Sequence, residues 1–227
     1  MLVWDLSPGY LNNEELRQQL AHIAALLAAR GQSDDPEVSR RWGRCLNALR
    51  CLEAWMQAEW DLRGLGPLEQ GQRTHLAPLN LVWPSLPDVV TRFQHLGSER
   101  DSGRIALPRT IQGLWSHYKY SVAARSMEAY RAISVKVTAG RGNDAFAQVA
   151  QDILLVMRQR PELEPLRDAL LQMWGYVSAE GQLPGRTYQN LPALFQEIQR
   201  RAQKQQNAYL LNSTALSELS VWLENPA

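Results

Sequence analysis

The chain has 227 residues, 24 Lys and Arg against 23 Asp and Glu, and a formal net charge of +1. That length suits one large domain or two small ones with a sizeable core, and the near-neutral total excludes a protein that coats nucleic acid indiscriminately, because such binding scales with the phosphates neutralised. The two cysteines, Cys45 and Cys51, are too few and too awkwardly spaced for a zinc site or an iron–sulfur cluster, so no metal or cofactor is expected.

Met1-Leu2-Val3-Trp4-Asp5 lacks the basic head and apolar run of a signal peptide, and no apolar run approaches a membrane span. A cytoplasmic protein without membrane contact is the expectation. Residues 14–30 place Leu16, Leu20, Ile23, Ala24 and Leu27 at helical spacing, with Gly31 as the stop. Asp34-Asp35-Pro36 is a helix start, and the pattern resumes through Val38, Trp42, Cys45, Leu46, Leu49, Leu52 and Met56 to Leu62. These two segments read as an antiparallel helix pair. From Gly64 to Pro108, frequent Gly and Pro mark a connector. Within it, Ser85 as cap with Asp88 three positions later predicts one short helix through Val89, Val90, Phe93 and Leu96.

The helical signal returns at Arg109, and Ser126-Met127-Glu128 caps a second segment instead of continuing the first. Helices over 143–160, 162–174, 193–206 and 214–224 follow, separated by Gly140/Gly142, Pro161, Gly175 and a 181–192 loop. Gly175 is expected in the left-handed conformation, with Trp174 and Tyr176 in the core. Strand pairs and internal repeats are missing from the pattern. The fold expectation is all-α with about eight helices, divided as 1–100 and 101–227 and packed as one body, because 14–30 and 36–62 carry too little apolar surface for a core of their own.

Charge is unevenly spread. Between Arg109 and Arg141 stand six cations, Arg109, Lys119, Arg125, Arg131, Lys136 and Arg141, against the single carboxylate Glu128. Aromatic residues interleave with them in Leu114-Trp115-Ser116-His117-Tyr118-Lys119-Tyr120. On a helix, Trp115, Tyr118, Lys119, Val122 and Ile133 share a sector, and His117, Tyr120, Ala124 and Arg131 face away from it. Two readings stay open: a core stripe with solvating cations, or a surface on which Lys119, Arg125 and Arg131 meet phosphates while Tyr118 or Tyr120 stacks on a base. Arg104, between Gly103 and Ile105, is either a fourth binding cation or a loop arginine on the carbonyl end of a helix. His22 is a lone histidine on an Ala/Leu helix; His75 and His95 lie in the connector without a paired Ser, Cys or acid. Arg200, Arg201 and Lys204 form a second basic cluster.

The motif set Gly103-Arg104-Ile105-Ala106-Leu107-Pro108, Leu114 to Tyr120, Tyr130-Arg131, Met173-Trp174-Gly175-Tyr176 and Tyr209 to Leu219 resembles the bacterial YbgA-like domain of unknown function. Tyr118 stands where that family's H-K-Y triplet has His. Relatives of the domain occur fused behind thiouracil or thiouridine desulfurase domains, which implies RNA binding, and as companions of photolyase genes. The first half is similar to pyrimidine-dimer glycosylases of the phage endonuclease V type. Trp4-Asp5-Leu6-Ser7-Pro8-Gly9-Tyr10-Leu11, Arg41-Trp42, Leu62-Arg63-Gly64 and Pro67-Leu68 keep that frame. Its chemistry does not carry over. Where the family has His, Arg and its acids in the H-L-x-x-E-x-R-E-L helix, this chain has Glu15, Leu16, Gln19, Ala21, His22 and Ile23, and Leu2 disfavours release of Met1. The groups that stabilise the developing charge are lost.

Together these readings lead to a non-catalytic nucleic-acid-binding protein, structured RNA favoured over damaged DNA. Arg104, Lys119, Tyr118, Tyr120, Arg125 and Arg131 are its candidate contacts, and no residue is catalytic. Two alternatives stand beside it: a pyrimidine-dimer glycosylase/lyase or other base-modifying enzyme, and a protein-binding scaffold whose eight tryptophans serve oligomerisation.

Overall fold

The computed structural model describes residues 2–67, 81–96, 101–179, 184 and 190–223. Among them the architecture is all-α: eleven α-helices and one 3₁₀ turn, Pro8–Tyr10, with no strand. No described helix is long and apolar enough to cross a membrane.

Helix α1, Asn13–Ala28, begins in a reciprocal capping box between Asn12 and Glu15, each bond 2.8 Å long. It ends at Gly31, whose φ of +79° lets its N–H return to Leu26 O. The expected single helix over 36–62 is two, α2 Pro36–Trp42 and α3 Leu46–Leu62. The break has a steric cause: a Cβ on Gly31 would lie 2.7 Å from the Gly43 Cα, so the end of α1 and the end of α2 meet backbone to backbone. In the connector, α4 Val89–His95 is capped by Asp88, not Ser85; the Asp88 carboxylate accepts from the Val90 N–H at 3.0 Å. The Ser85 hydroxyl instead accepts from Arg41.

Helix α5, Ile111–Ala123, is capped by Thr110, and α6, Met127–Ala139, by Ser126, at the expected interruption. There follow α7 Gly142–Met157, α8 Leu163–Trp174, α9 Leu191–Lys204, α10 Ala208–Leu211 and α11 Ala215–Leu223. The one-turn α10 was not expected; the Asn207 side chain starts it by accepting from the Leu210 N–H at 3.1 Å. Gly175 is right-handed, with φ −56°, so the chain turns on past α8. Val177 takes the buried position, and Tyr176 points outward with 48 % of its surface exposed.

Helix α5 runs through the middle, touching α6, α7, α8 and α11, while α3 packs on both α1 and α11. The buried apolar side chains form one continuous cluster from Val3 to Leu223. Three buried carboxylates are set into it: Asp5 with Arg41 and Arg92, Glu59 with Arg63 and Arg104, and Glu218 with Arg125. The N-terminal turn is fastened by Arg63, which donates to Leu11 O at 2.8 Å and Pro8 O at 3.1 Å.

Candidate nucleic-acid interface

A helix surrounded on four sides can show solvent only a narrow strip, and α5 buries most of the side chains the sequence offers for binding. Tyr118 is 2 % exposed, and its hydroxyl accepts from the Ser7 N–H at 3.2 Å; it has no face left for a base. Tyr120 is 3 % exposed. Arg125 gives its fork to Glu218, with Nη2 2.6 Å from Oε1, donates from Nε to Gln159 O, and lies over the Trp222 ring. Arg104 donates from Nε and Nη2 to the two Glu59 oxygens at 2.8 and 2.7 Å, and from Nη1 to the carbonyls of Leu211 and Ser213. That is the helix-end role weighed against binding, because Leu211 closes α10. These four are therefore corrected from contact residues to internal ones. The core reading holds for Trp115, Tyr118, Val122 and Ile133, all buried. Lys119, half-buried, and Arg131, exposed, remain at the surface.

What does stand at the surface beside Lys119 is an aromatic platform. Tyr176 and Tyr209 stack with ring centroids 4.5 Å apart and an interplanar angle of 23°. Tyr120 supports both edge-on from below, at 6.2 and 6.1 Å. The Lys119 ammonium lies 4.3 Å from the Tyr209 centroid and 5.3 Å from that of Tyr120, and among the described residues no carboxylate pairs with it. Burial lowers the pKa of Lys119, a trend the oxygen of Tyr176 opposes. The platform is held by one side chain in particular. Asn207 caps α10 through its oxygen and donates its amide to Tyr176 O at 2.9 Å, so the two stacked rings hang on the same residue. Gln205 adds a 3.1 Å bond to Val177 O, and Arg201 lies 4.4 Å over Trp174. Sequence reasoning missed Tyr176 and Tyr209 as a pair; both stood in quoted motifs, but nothing local says that they touch.

The other candidates are placed plainly. Arg200 and Arg201 share Glu197 at 2.6 and 2.7 Å, leaving only Lys204 of that cluster exposed without such a pairing among the described residues. His22 is half-buried, His95 is exposed, and His75 lies outside the described residues. Cys45 and Cys51 are buried and unpaired with one another, and burial pushes the Cys51 thiol up to about 12, which removes it as a nucleophile at neutral pH. Gln19 spends both ends of its amide on the N-terminal segment, accepting from Trp4 N and donating to Leu2 O, each at 2.9 Å. An amide there can neither give nor take a proton.

His117 is buried against Tyr10, with the hydroxyl 3.1 Å from Nδ1. Burial, helped by the Arg104 charge, lowers its pKa to about 4. Its imidazole is expected to stay neutral until the pH nears that value, which the histidine Cε1–H resonance will report. Because the folded pKa lies below the unfolded one, the unfolded chain binds the proton first. Stability is therefore lost as pH falls from about 6.5 toward 4.

No protein-family model, curated protein or solved structure matches this chain.

Proposed function

We propose that this chain binds nucleic acid without chemistry of its own, structured RNA ahead of damaged DNA. The observation that carries the reading is the stack of exposed Tyr176 on half-buried Tyr209, with Lys119 against it. Tyr176, 48 % exposed, offers ring surface to a base, and the Lys119 ammonium, seated against the neighbouring Tyr209 ring, supplies the cation for its phosphate. Base–aromatic stacking is worth about 1–3 kcal/mol per base and tolerates any sequence. Specificity for structured RNA then comes from a base already splayed from a loop or bulge, which need not be unstacked before it docks. The non-catalytic part rests on the Gln19 amide, which occupies the place beside the N-terminal segment where the resembled glycosylases carry an acid.

A mobility-shift titration at two salt concentrations with tRNA, single-stranded DNA and ultraviolet-irradiated duplex tests it. The wild type is expected to bind tRNA most tightly at low salt. Tyr176→Ala, a change at a surface ring, weakens binding by about tenfold, as expected for one stacked base. Lys119→Ala lowers the slope of log affinity against log salt by about 0.7, one single-strand phosphate contact. Failure of the wild type to bind any of the three at low salt, or full binding by Tyr176→Ala, removes the reading and leaves the scaffold alternative.

A further inference from the structure

On another part of the molecule two guanidinium groups close on one carboxylate, and a third shares an acceptor with one of them. Asp5 is buried in the N-terminal segment; its Oδ2 accepts from Arg41 Nη2 at 2.9 Å, and its Oδ1 lies 3.1 Å from Arg92 Nη2. The third, Arg158 at the end of α7, has no carboxylate partner among the described residues. It donates to the carbonyls of Pro84 and Ser85 and lies 5.5 Å over the Trp83 ring. Arg41 and Arg158 are brought together by a shared acceptor: Ser85 O takes Arg41 Nη2 at 2.9 Å and Arg158 Nη2 at 3.2 Å. Three cations and one anion leave a formal excess of two positive charges. Burial, and repulsion from Arg41, weigh against the charged forms of both Arg92 and Arg158.

A purely structural pairing needs one guanidinium for Asp5. Two more held close to it cost like-charge repulsion in a half-dry setting, and an anion would relieve that cost. A further sign points the same way. Arg41 Nε is buried, yet it has no hydrogen-bond acceptor, the kind of unmet donor that a bound oxygen satisfies. The site is also open to solvent: the Arg41 side chain is 23 % exposed, Arg158 is half-buried, and Ser85 is exposed. The Ser85 hydroxyl accepts from Arg41 Nη1 at 3.2 Å and keeps its own proton to donate. Planar forks and a hydroxyl around a tetrahedral set of oxygens are the chemistry that recognises phosphoryl groups.

We infer that Arg41, Arg158 and Ser85 form a phosphoryl-binding site, with Asp5, itself paired to Arg92, holding Arg41 in place. Two sources carry such a phosphoryl group, a free polyphosphate and the backbone of a nucleic acid, and the test separates them. Full-length protein is titrated with inorganic pyrophosphate by calorimetry, and in parallel with a short single-stranded oligoribonucleotide. Pyrophosphate is expected to saturate one site and to shift the arginine Nε–H resonance that disappears in Arg41→Lys. Arg158→Gln, which leaves the Asp5 pairs intact, weakens pyrophosphate binding at least tenfold, and Ser85→Ala, an exposed change that keeps the fold, about threefold. If only the oligoribonucleotide binds and Arg158→Gln weakens it, the phosphate belongs to nucleic acid. No saturable binding of either probe, or equal affinity in the wild type and both variants, overturns the site. The pyrophosphate titration does not pass through Tyr176, so this site and the stacking platform fail or survive separately.

Discussion

Replacing Arg125 by alanine is expected to cost about 3–5 kcal/mol, out of a total that for a domain of this kind is roughly 5–15 kcal/mol. A urea or thermal melt followed by circular dichroism will show it as a large fall in midpoint. The side chain is 1 % exposed and lies against a Glu218 carboxylate that is itself 3 % exposed. Removing the guanidinium strands that charge in the core and also orphans Ser121 O and Gln159 O, to which Arg125 donates. Trp222, whose indole N–H donates to Glu218, cannot by itself neutralise it. Lysine is expected to rescue little, because a single ammonium does not reach two carbonyls and both carboxylate oxygens. Replacing both partners by apolar residues, Arg125→Met with Glu218→Leu, should recover much of the loss, since the burden of two desolvated charges goes with them. A substitution at Arg125 therefore reads stability, and binding is tested at Lys119 and Tyr176.

Glu59 governs the acid limb of stability. Burial alone would raise its pKa, but the charge and hydrogen bonds of Arg104, then Arg63 and the Ser217 hydroxyl, hold it at about 2 against an ordinary 4.5. A carboxylate depressed in the folded state contributes stability that is fully present above its unfolded pKa and drains away as pH falls from 4.5 toward 2. The shift corresponds to roughly 3 kcal/mol. Urea midpoints at pH 7 and pH 3 are expected to differ strongly in the wild type. In Glu59→Gln the protein should be several kcal/mol weaker at pH 7, as for other broken buried pairs, and the drop between the two pH values should shrink. An unchanged acid limb in that variant would show that other groups set it. The location explains the size of the effect: Arg63 ties Glu59 to the turn at Pro8–Tyr10, and Arg104 ties it to the end of α10. One carboxylate thus joins the first residues of the chain to the last helices.

The contrast between the helix ends and the charged side chains shows what a chain can say about itself. Asp35-Pro36, Ser126 and Gly31 mark their boundaries because a cap is an interaction over two to four residues, and all its parts lie in one stretch of sequence. The helical period and the all-α class were legible for the same reason, and the core role of Trp115, Tyr118, Val122 and Ile133 stood as one of two open readings. The break at Gly43 was not, because it answers to Gly31 on another helix. Nor were the fates of Arg104 and Arg125, whose carboxylates lie 45 and 93 residues away. A cation in a basic tract looks alike whether it faces water or a distant acid. The tract from Arg109 to Arg141 kept its excess charge in sequence, while the fold spent Arg125 inside and left Lys119 and Arg131 outside. Tyr176 and Tyr209, the platform beside Lys119, met only when the turn after α8 came against α10. Local hydrogen bonds and periodicity are written residue by residue; burial and charge pairing follow from which helices pack together, and only the tertiary structure decided that.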